Sequence, residues 1–279
     1  MTGLLETAAL QLRVAKRLAP RRGASLGERI GRLDDRLVFV VGSPRSGTTF
    51  LAGAIGSLPG FVDLGEVPPL KAAVPELVAL PDAEATRRLR RILAVARRVG
   101  LVGAVRGVEQ TPELAHLVDV VHLAYPEARI VHMVRDGRDV ACSLLEKPWL
   151  RPQQANSDDA GVAYGSYARF WVEPSRRDEF GRVSDARRAA WAWRSYVTAA
   201  RSASAPRIEV RYETMAEAPE EVARELAAYL GAPVDALAAA TSRVHRSSVG
   251  RYRRDLREEQ LADVLAEAGD LLRELGYVT

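Results

Sequence analysis

Residues 37–51 read Leu-Val-Phe-Val-Val-Gly-Ser-Pro-Arg-Ser-Gly-Thr-Thr-Phe-Leu, and they restrict the fold more than any other stretch. The apolar run 37–41 has the length and β-branched content of a buried strand. It leads straight into a glycine-bracketed loop, residues 42–49. A helical pattern follows, with Phe50, Leu51, Ala54, Ile55 and Leu58 at the right spacing. A strand, a tight loop and a helix start aim successive backbone N–H groups at one point, where the helix dipole also favours negative charge. The stretch therefore reads as a seat for a phosphate-like anion. A purely structural turn gives no reason for Arg45, Ser46, Thr48 and Thr49 to crowd a loop entering an apolar helix.

The spacing Gly42-x4-Gly47 matches the nucleoside-triphosphate P-loop, but Thr48 stands where that loop carries its lysine. The lysine reaches the β- and γ-phosphates in ATPases and kinases, so its loss argues against ordinary triphosphate chemistry. Arg45 lies inside the loop instead, and its planar fork suits a tetrahedral oxyanion.

The chain has 279 residues, 47% of them apolar, enough for the core of one large α/β domain. Its 40 basic and 36 acidic residues leave a formal charge of +4. So mild an excess fits a small anionic ligand better than a nucleic-acid surface. A single cysteine, Cys142, excludes an internal disulfide framework and suits a reducing cytoplasm. No apolar run approaches the length of a membrane span. Residues 4–18 form a basic helical pattern without the small-residue cleavage signature of a signal peptide. That pattern fits a helical arm over residues 1–35, either packed on the domain or in peripheral contact with a membrane surface.

Further along, residues 61–64 read as a short strand ending at Gly65-Glu66, and sequential strands tend to be neighbours in a sheet. A proline-rich piece, 67–81, precedes an arginine-rich helix over 83–99, which reads as a solvated face. Thr111 as N-cap and Pro112 at the first position open a helix reaching about Tyr125. Residues 128–134 form a second clear strand that ends on Arg135-Asp136-Gly137-Arg138-Asp139, with a helix over 140–145. Polar residues at a strand's carboxyl end are where open parallel sheets bind ligands. Residues 147–184 are irregular and rich in Pro, Gly and aromatics, which reads as an acceptor-site lid or a disordered segment; Trp149, Tyr164, Tyr167, Phe170 and Trp171 suit an aromatic lid, and ordinary packing accounts for the same residues. A helix over 186–203, a strand over 207–211, a helix over 219–230 closed by Gly231 and a last helix over 256–275 complete the chain. This alternation implies one α/β domain spanning residues 1–279: three layers, a mostly parallel central sheet and helices on both faces.

Taken together, these pieces resemble the sulfotransferases that use 3′-phosphoadenosine 5′-phosphosulfate (PAPS), from Leu37 to the C-terminus. The resemblance implies their P-loop NTPase-like fold, with PAPS as co-substrate and no metal. Residues 37–49 look like the family's 5′-phosphosulfate loop, which brings Arg45, Ser46, Gly47, Thr48 and Thr49 to the nucleotide. Residues 129–143 look like its 3′-phosphate motif, with Arg135 and Ser143 as the grip. Both converge on one point if Ser143 stands in the first helical turn. Arg138 reads as structural, paired with Asp136 or Asp139. Glu66 is similar to the general base of the protein-tyrosine sulfotransferase branch, which carries a Gly-Glu pair at this distance; Pro68 replaces that branch's arginine. The bland reading of Glu66 is a carboxylate neutralising Arg45 or a lysine. The segment Glu109-Gln110-Thr111-Pro112 resembles one that usually bears lysine in place of Gln110. None of His116, His122, His132 and His245 stands where cytosolic relatives place a histidine base. Arg246, Ser247 and Gly250 match a loop closing over the 3′-phosphate, although Ser247 replaces its first glycine. Tyr212 matches a position near the nucleotide, and packing of its ring in the core accounts for it equally well.

The resemblance implies sulfuryl transfer to a hydroxyl, with an amine as second choice, on a small-molecule, carbohydrate or lipid acceptor that the sequence does not identify. The alternatives are a phosphotransferase with a degenerate P-loop and a non-catalytic module binding nucleotide or polyanion.

Overall fold

The computed structural model describes residues 37–98, 106–147 and 169–279, together with Leu12 and Leu150. The N-terminal arm and most of the expected lid, including Trp149, Tyr164 and Tyr167, fall outside the described residues.

Five strands form one fully parallel sheet in the order β2-β3-β1-β4-β5. They are β1 (Val38–Gly42), β2 (Phe61–Gly65), β3 (Arg106–Glu109), β4 (Arg129–Val134) and β5 (Ile208–Arg211). The helices are α1 (Thr48–Gly56), α2 (Pro68–Leu77), α3 (Asp82–Arg98), α4 (Val118–Ala124), α5 (Gly137–Leu145), α6 (Arg177–Arg182), α7 (Asp185–Ser202), α8 (Tyr212–Glu217), α9 (Pro219–Leu230), α10 (Val234–Thr241), α11 (Tyr252–Asp255) and α12 (Glu258–Glu274).

Alternation along the strands divides the core between the two faces of the sheet. Phe39, Val41, Ile130 and Val134 pack with α2, α3, α4, α5, α7 and α12. Val38, Val40, Val131 and Met133 pack with α1, α8, α9 and α10. The result is the three-layer arrangement expected from the sequence. No described helix is long and apolar enough to cross a membrane.

Two expectations are corrected. The sequence suggests β2 beside β1, but β3 lies between them. β3 escapes hydrophobic pattern reading because Val108 is its only large apolar residue, flanked by Arg106, Gly107 and Glu109. The expected helix from Thr111 to Tyr125 is a 3₁₀ turn, Pro112–His116, followed by α4 after a break at Leu117. Thr111 does not cap it, because its hydroxyl donates to the buried carboxylate of Glu109.

The strand order reverses around β1: one chain crossover leads to β2 and the returning β3, another to β4 on the opposite side. A crevice at such a switch point is where open α/β sheets seat their ligands.

Candidate active site

Every strand delivers a singled-out residue at its carboxyl end: the 43–49 loop after β1, Glu66 after β2, Gln110 after β3, Arg135 after β4 and Tyr212 after β5. A parallel sheet places all five ends on one edge.

The 43–49 loop is close to what the sequence suggests. Gly47 caps α1 in the left-handed region (φ 99°). A Cβ on Gly42 would lie 2.3 Å from the Met133 carbonyl oxygen of β4, so only glycine lets the loop leave the sheet here. Arg45 also has a left-handed backbone (φ 70°), at a cost of about 1 kcal/mol for a residue with a side chain. Ser46 is buried and its Oγ has no partner among the described residues. Thr49 is exposed and donates from Oγ1 to Gln110 Oε1 at 3.1 Å.

Arg135 sits across the switch point and is buried. Its Nη1 donates to the backbone oxygen of Arg45 at 3.2 Å and its Nη2 to the backbone oxygen of Ser248, while Nε has no partner among the described residues. Its guanidinium stacks 4.6 Å from the centre of the Tyr212 ring. The Arg45 side chain crosses the same space, with Nε donating to Ser143 Oγ at 2.9 Å. The two expected oxyanion cradles therefore share one crevice and touch. One detail differs: α5 begins at Gly137, capped by Asp136, so Ser143 stands in the second helical turn. The pairing of Arg138 with Asp136, at 2.7 Å, follows the sequence reading.

The closing segment is held by its backbone. Arg246 and Ser247 lie exposed on a short 3₁₀ turn, whereas the neighbouring carbonyls of His245 and Ser248 accept from Tyr212 Oη and Arg135 Nη2. Gly250, with φ 69°, donates its N–H to Asp139 Oδ2 at 2.7 Å. Tyr252 N–H donates to Asp139 Oδ1 at 2.9 Å. Sequence reading missed Asp139 as the tether of this segment; burial raises its carboxyl, while the Tyr252 and Gly250 hydrogen bonds hold it back. Tyr212 follows the packing reading given for it: its ring lies in the core, under Arg135 and against Gly47.

Glu66 faces the other side of the loop. Its Oε2 accepts from Lys71 Nζ at 2.6 Å, and its side chain is 30% exposed while that of Lys71 is 4% exposed. Lys71 lies 3.8 Å from Glu113. The neutralising cation is thus a lysine, and Gln110, just past β3, is joined to Thr49 of the loop. Glu109 is also buried, and burial pushes its carboxyl up to about 7 against the hydrogen bonds from Thr111 and Val67. An apolar-pattern search passes over such a residue; its signal is a carboxylate in the middle of a strand end.

Of the five aromatics singled out in residues 147–184, the two described ones follow the packing alternative. Trp171 is buried against Phe180 and Tyr196, and Phe170 packs edge-on to His116, so both rings belong to the core. Two of the four histidines are fillers: burial lowers His116 to about 4 and also lowers His132, whereas His122 is half-buried on α4 and His245 lies exposed ahead of the 246–248 turn.

A model described as the sulfotransferase family matches residues 94–236, just over half of the chain. Among solved structures, the chain is similar to the sulfotransferase domain from the curacin biosynthetic pathway. That likeness has 14% identity and a TM-score of 0.52 over 86% of this chain and 98% of that one. It is similar also to the sulfotransferase domain from the Synechococcus PCC 7002 olefin synthase, with 15% identity and a TM-score of 0.51 over 89% and 98% of the two chains. Mouse sulfotransferase SULT7A1, solved in complex with PAP, gives 16% identity and a TM-score of 0.51 over 91% and 93%. At these identities the structures speak for the fold alone. No curated protein matches by sequence. The family match takes in Gln110, Arg135, Ser143 and Tyr212, and the fold is shared over nearly the whole chain: this protein belongs to the sulfotransferase family.

Proposed function

We propose that this chain transfers a sulfuryl group from PAPS to a hydroxyl, or secondarily an amine, of a small-molecule, carbohydrate or lipid acceptor. The observation that carries the reading is the meeting of Arg45 and Arg135 in one crevice at the switch point, each at the end of a neighbouring central strand. Two buried polar atoms without a partner among the described residues, Ser46 Oγ and Arg135 Nε, suit a ligand rich in acceptor oxygens. A Cβ on Gly47 would meet the Tyr212 ring at 2.8 Å, so the cradle depends on the space glycine leaves.

In this reading the amides of Ser46 to Thr49, with Arg45, receive the negative charge that grows on the bridging oxygen as adenosine 3′,5′-bisphosphate (PAP) departs. Arg135 and Ser143 hold the 3′-phosphate, with Tyr212, Arg246, Ser247 and Gly250 around the nucleotide. Glu66 takes the proton of the acceptor hydroxyl as its oxygen attacks sulfur in line. Lys71 stays beside Glu66 as the carboxylate is neutralised by that proton, and the nearby Glu113 gives the lysine a second partner. The partial exposure of Glu66 leaves it reachable by an acceptor.

The test is to incubate the purified protein with PAPS and a panel of phenols, sugars, sterols and amines, following PAP release and sulfated products by mass. Magnesium-dependent ATP turnover in place of sulfated product would transfer the chain to the phosphotransferases. PAP binding without transfer to any acceptor would make it a nucleotide-binding module.

A further inference from the structure

Glu66 stands on a short turn whose two flanking peptide groups are both held by the end of β3. The Gly65 carbonyl accepts from Gln110 N–H at 3.3 Å, and Val67 N–H donates to Glu109 Oε1 at 3.4 Å. The pairing of β2 with β3 shifts register between Asp63 and Gly65. Asp63 Oδ1 accepts from Gly65 N–H at 2.7 Å, and Gly65 has φ 68°. Irregularities of this kind re-aim the side chain that follows them, and the next side chain is Glu66.

Glu109 does more than fasten Val67. It accepts from Thr111 N–H at 3.0 Å and from the Thr111 hydroxyl, so both its oxygens are engaged. Val67 is also the N-cap residue of α2 and has no side-chain cap of its own. The Val67 carbonyl accepts from Lys71 N–H at 2.9 Å. One carboxylate therefore anchors the turn that carries Glu66 and the first turn of the helix that carries Lys71. Gln110, its neighbour, accepts from Thr49 in the anion loop. A carboxylate 1% exposed is a costly way to fill space, and an apolar residue would fill it more cheaply.

We propose that Glu109 is a positioning residue for sulfuryl transfer: its carboxylate fixes the Glu66–Lys71 pair at a set place relative to the 43–49 loop. This rests on the reading of Glu66 as general base. Glu109 is too buried, and its oxygens too fully engaged, to touch an acceptor itself. Displacing a reacting group by about 1 Å costs on the order of 100-fold in rate, so losing the clamp should appear in turnover before it appears in nucleotide binding.

The test uses the full chain with Glu109→Gln, Glu109→Leu and Glu66→Gln. Three readouts are PAP affinity, PAPS turnover with p-nitrophenol or whichever panel acceptor is taken, and the rate at which Lys71 is acylated by an amine-reactive ester. Glu109→Leu should cut turnover roughly 10- to 100-fold, leave PAP affinity within about twofold and expose Lys71 to acylation. Glu109→Gln, which keeps one acceptor oxygen, should recover much of the turnover and of the Lys71 protection. Wild-type Lys71 protection in Glu109→Leu would overturn the proposal on its own, whatever acceptor is used. So would turnover and PAP affinity falling together. If Glu66→Gln collapses turnover while Glu109→Leu leaves it intact, only the positioning role is lost. If Glu66→Gln turns over like wild type, the base assignment and the clamp fall together.

Discussion

Arg45 Nε donates to Ser143 Oγ at 2.9 Å, so the arginine of one proposed anion seat ends on the serine of the other. Arg135 completes the contact by donating to the Arg45 carbonyl. The crevice brings two arginines together at two neighbouring strand ends, and on the proposed reading nucleotide contacts in it should be coupled. Ser143→Ala removes an acceptor of Arg45 and a donor for a 3′-phosphate. It should lower PAP affinity roughly tenfold, as expected for one charge-assisted hydrogen bond. Calorimetric titration measures this, with thermal unfolding as the check that the fold is unchanged.

Glu66→Gln keeps the shape and loses the proton acceptor. Turnover should fall by about 10²- to 10⁴-fold, the usual contribution of a general base. PAP affinity should stay at the wild-type value, because Glu66 pairs with Lys71 and makes no contact with Arg45, Arg135 or Ser143 among the described residues. Unchanged turnover would remove Glu66 from the mechanism.

Two glycines within reach of the crevice should respond in opposite ways. Gly47→Ala puts a methyl 2.8 Å from the Tyr212 ring at a left-handed φ of 99°, and should cost on the order of 2–3 kcal/mol in urea denaturation. Gly53→Ala, inside α1 with nothing near its Cβ, should stabilise by about 0.5–1 kcal/mol. Equal effects would mean that the 43–49 loop does not pack as described.

Two buried groups should oppose each other in the dependence of stability on pH. Glu109 titrates at about 7 in the fold against an ordinary 4.5, so the folded state holds its proton longer and stability falls as pH rises between these values. His116 titrates at about 4 against 6.5, so the unfolded state takes up its proton first and stability falls as pH drops through that interval. Between about pH 5 and pH 8 each is worth roughly 2 kcal/mol, with opposite sign. These two contributions should largely cancel in wild type. Glu109→Gln should become more stable with rising pH and His116→Asn less stable, which denaturant melts at the two ends of the range will show.

Much of the fold was legible because its two central strands, β1 and β4, are largely buried apolar runs and because Gly231 and Gly276 end their helices in the left-handed conformation. The parts that were not legible share a physical cause. β3 is defined by its place between two strands, and its sequence, Arg-Gly-Val-Glu, carries no hydrophobic pattern. The site was legible wherever a side chain type announces an anion, as with Arg45 and Arg135. It was not legible where backbone atoms do the holding: the carbonyls of His245 and Ser248 and the N–H groups of Gly250 and Val67 belong to residues whose side chains say nothing about these contacts. Lys71 of α2 meets Glu66 on the preceding turn and Glu113 on a neighbouring 3₁₀ segment, a meeting no spacing rule for a single helix or strand would suggest.

Everything in the functional account depends on the crevice recognising both ends of a nucleotide. Paired calorimetric titrations with PAP and with adenosine 5′-monophosphate, which lacks the 3′-phosphate, test this in wild type and in Arg135→Ala. Wild type should prefer PAP by at least about 100-fold, the worth of a buried charge-assisted grip, and Arg135→Ala should bind the two ligands alike. Equal affinity of the wild-type protein for both nucleotides would contradict the account.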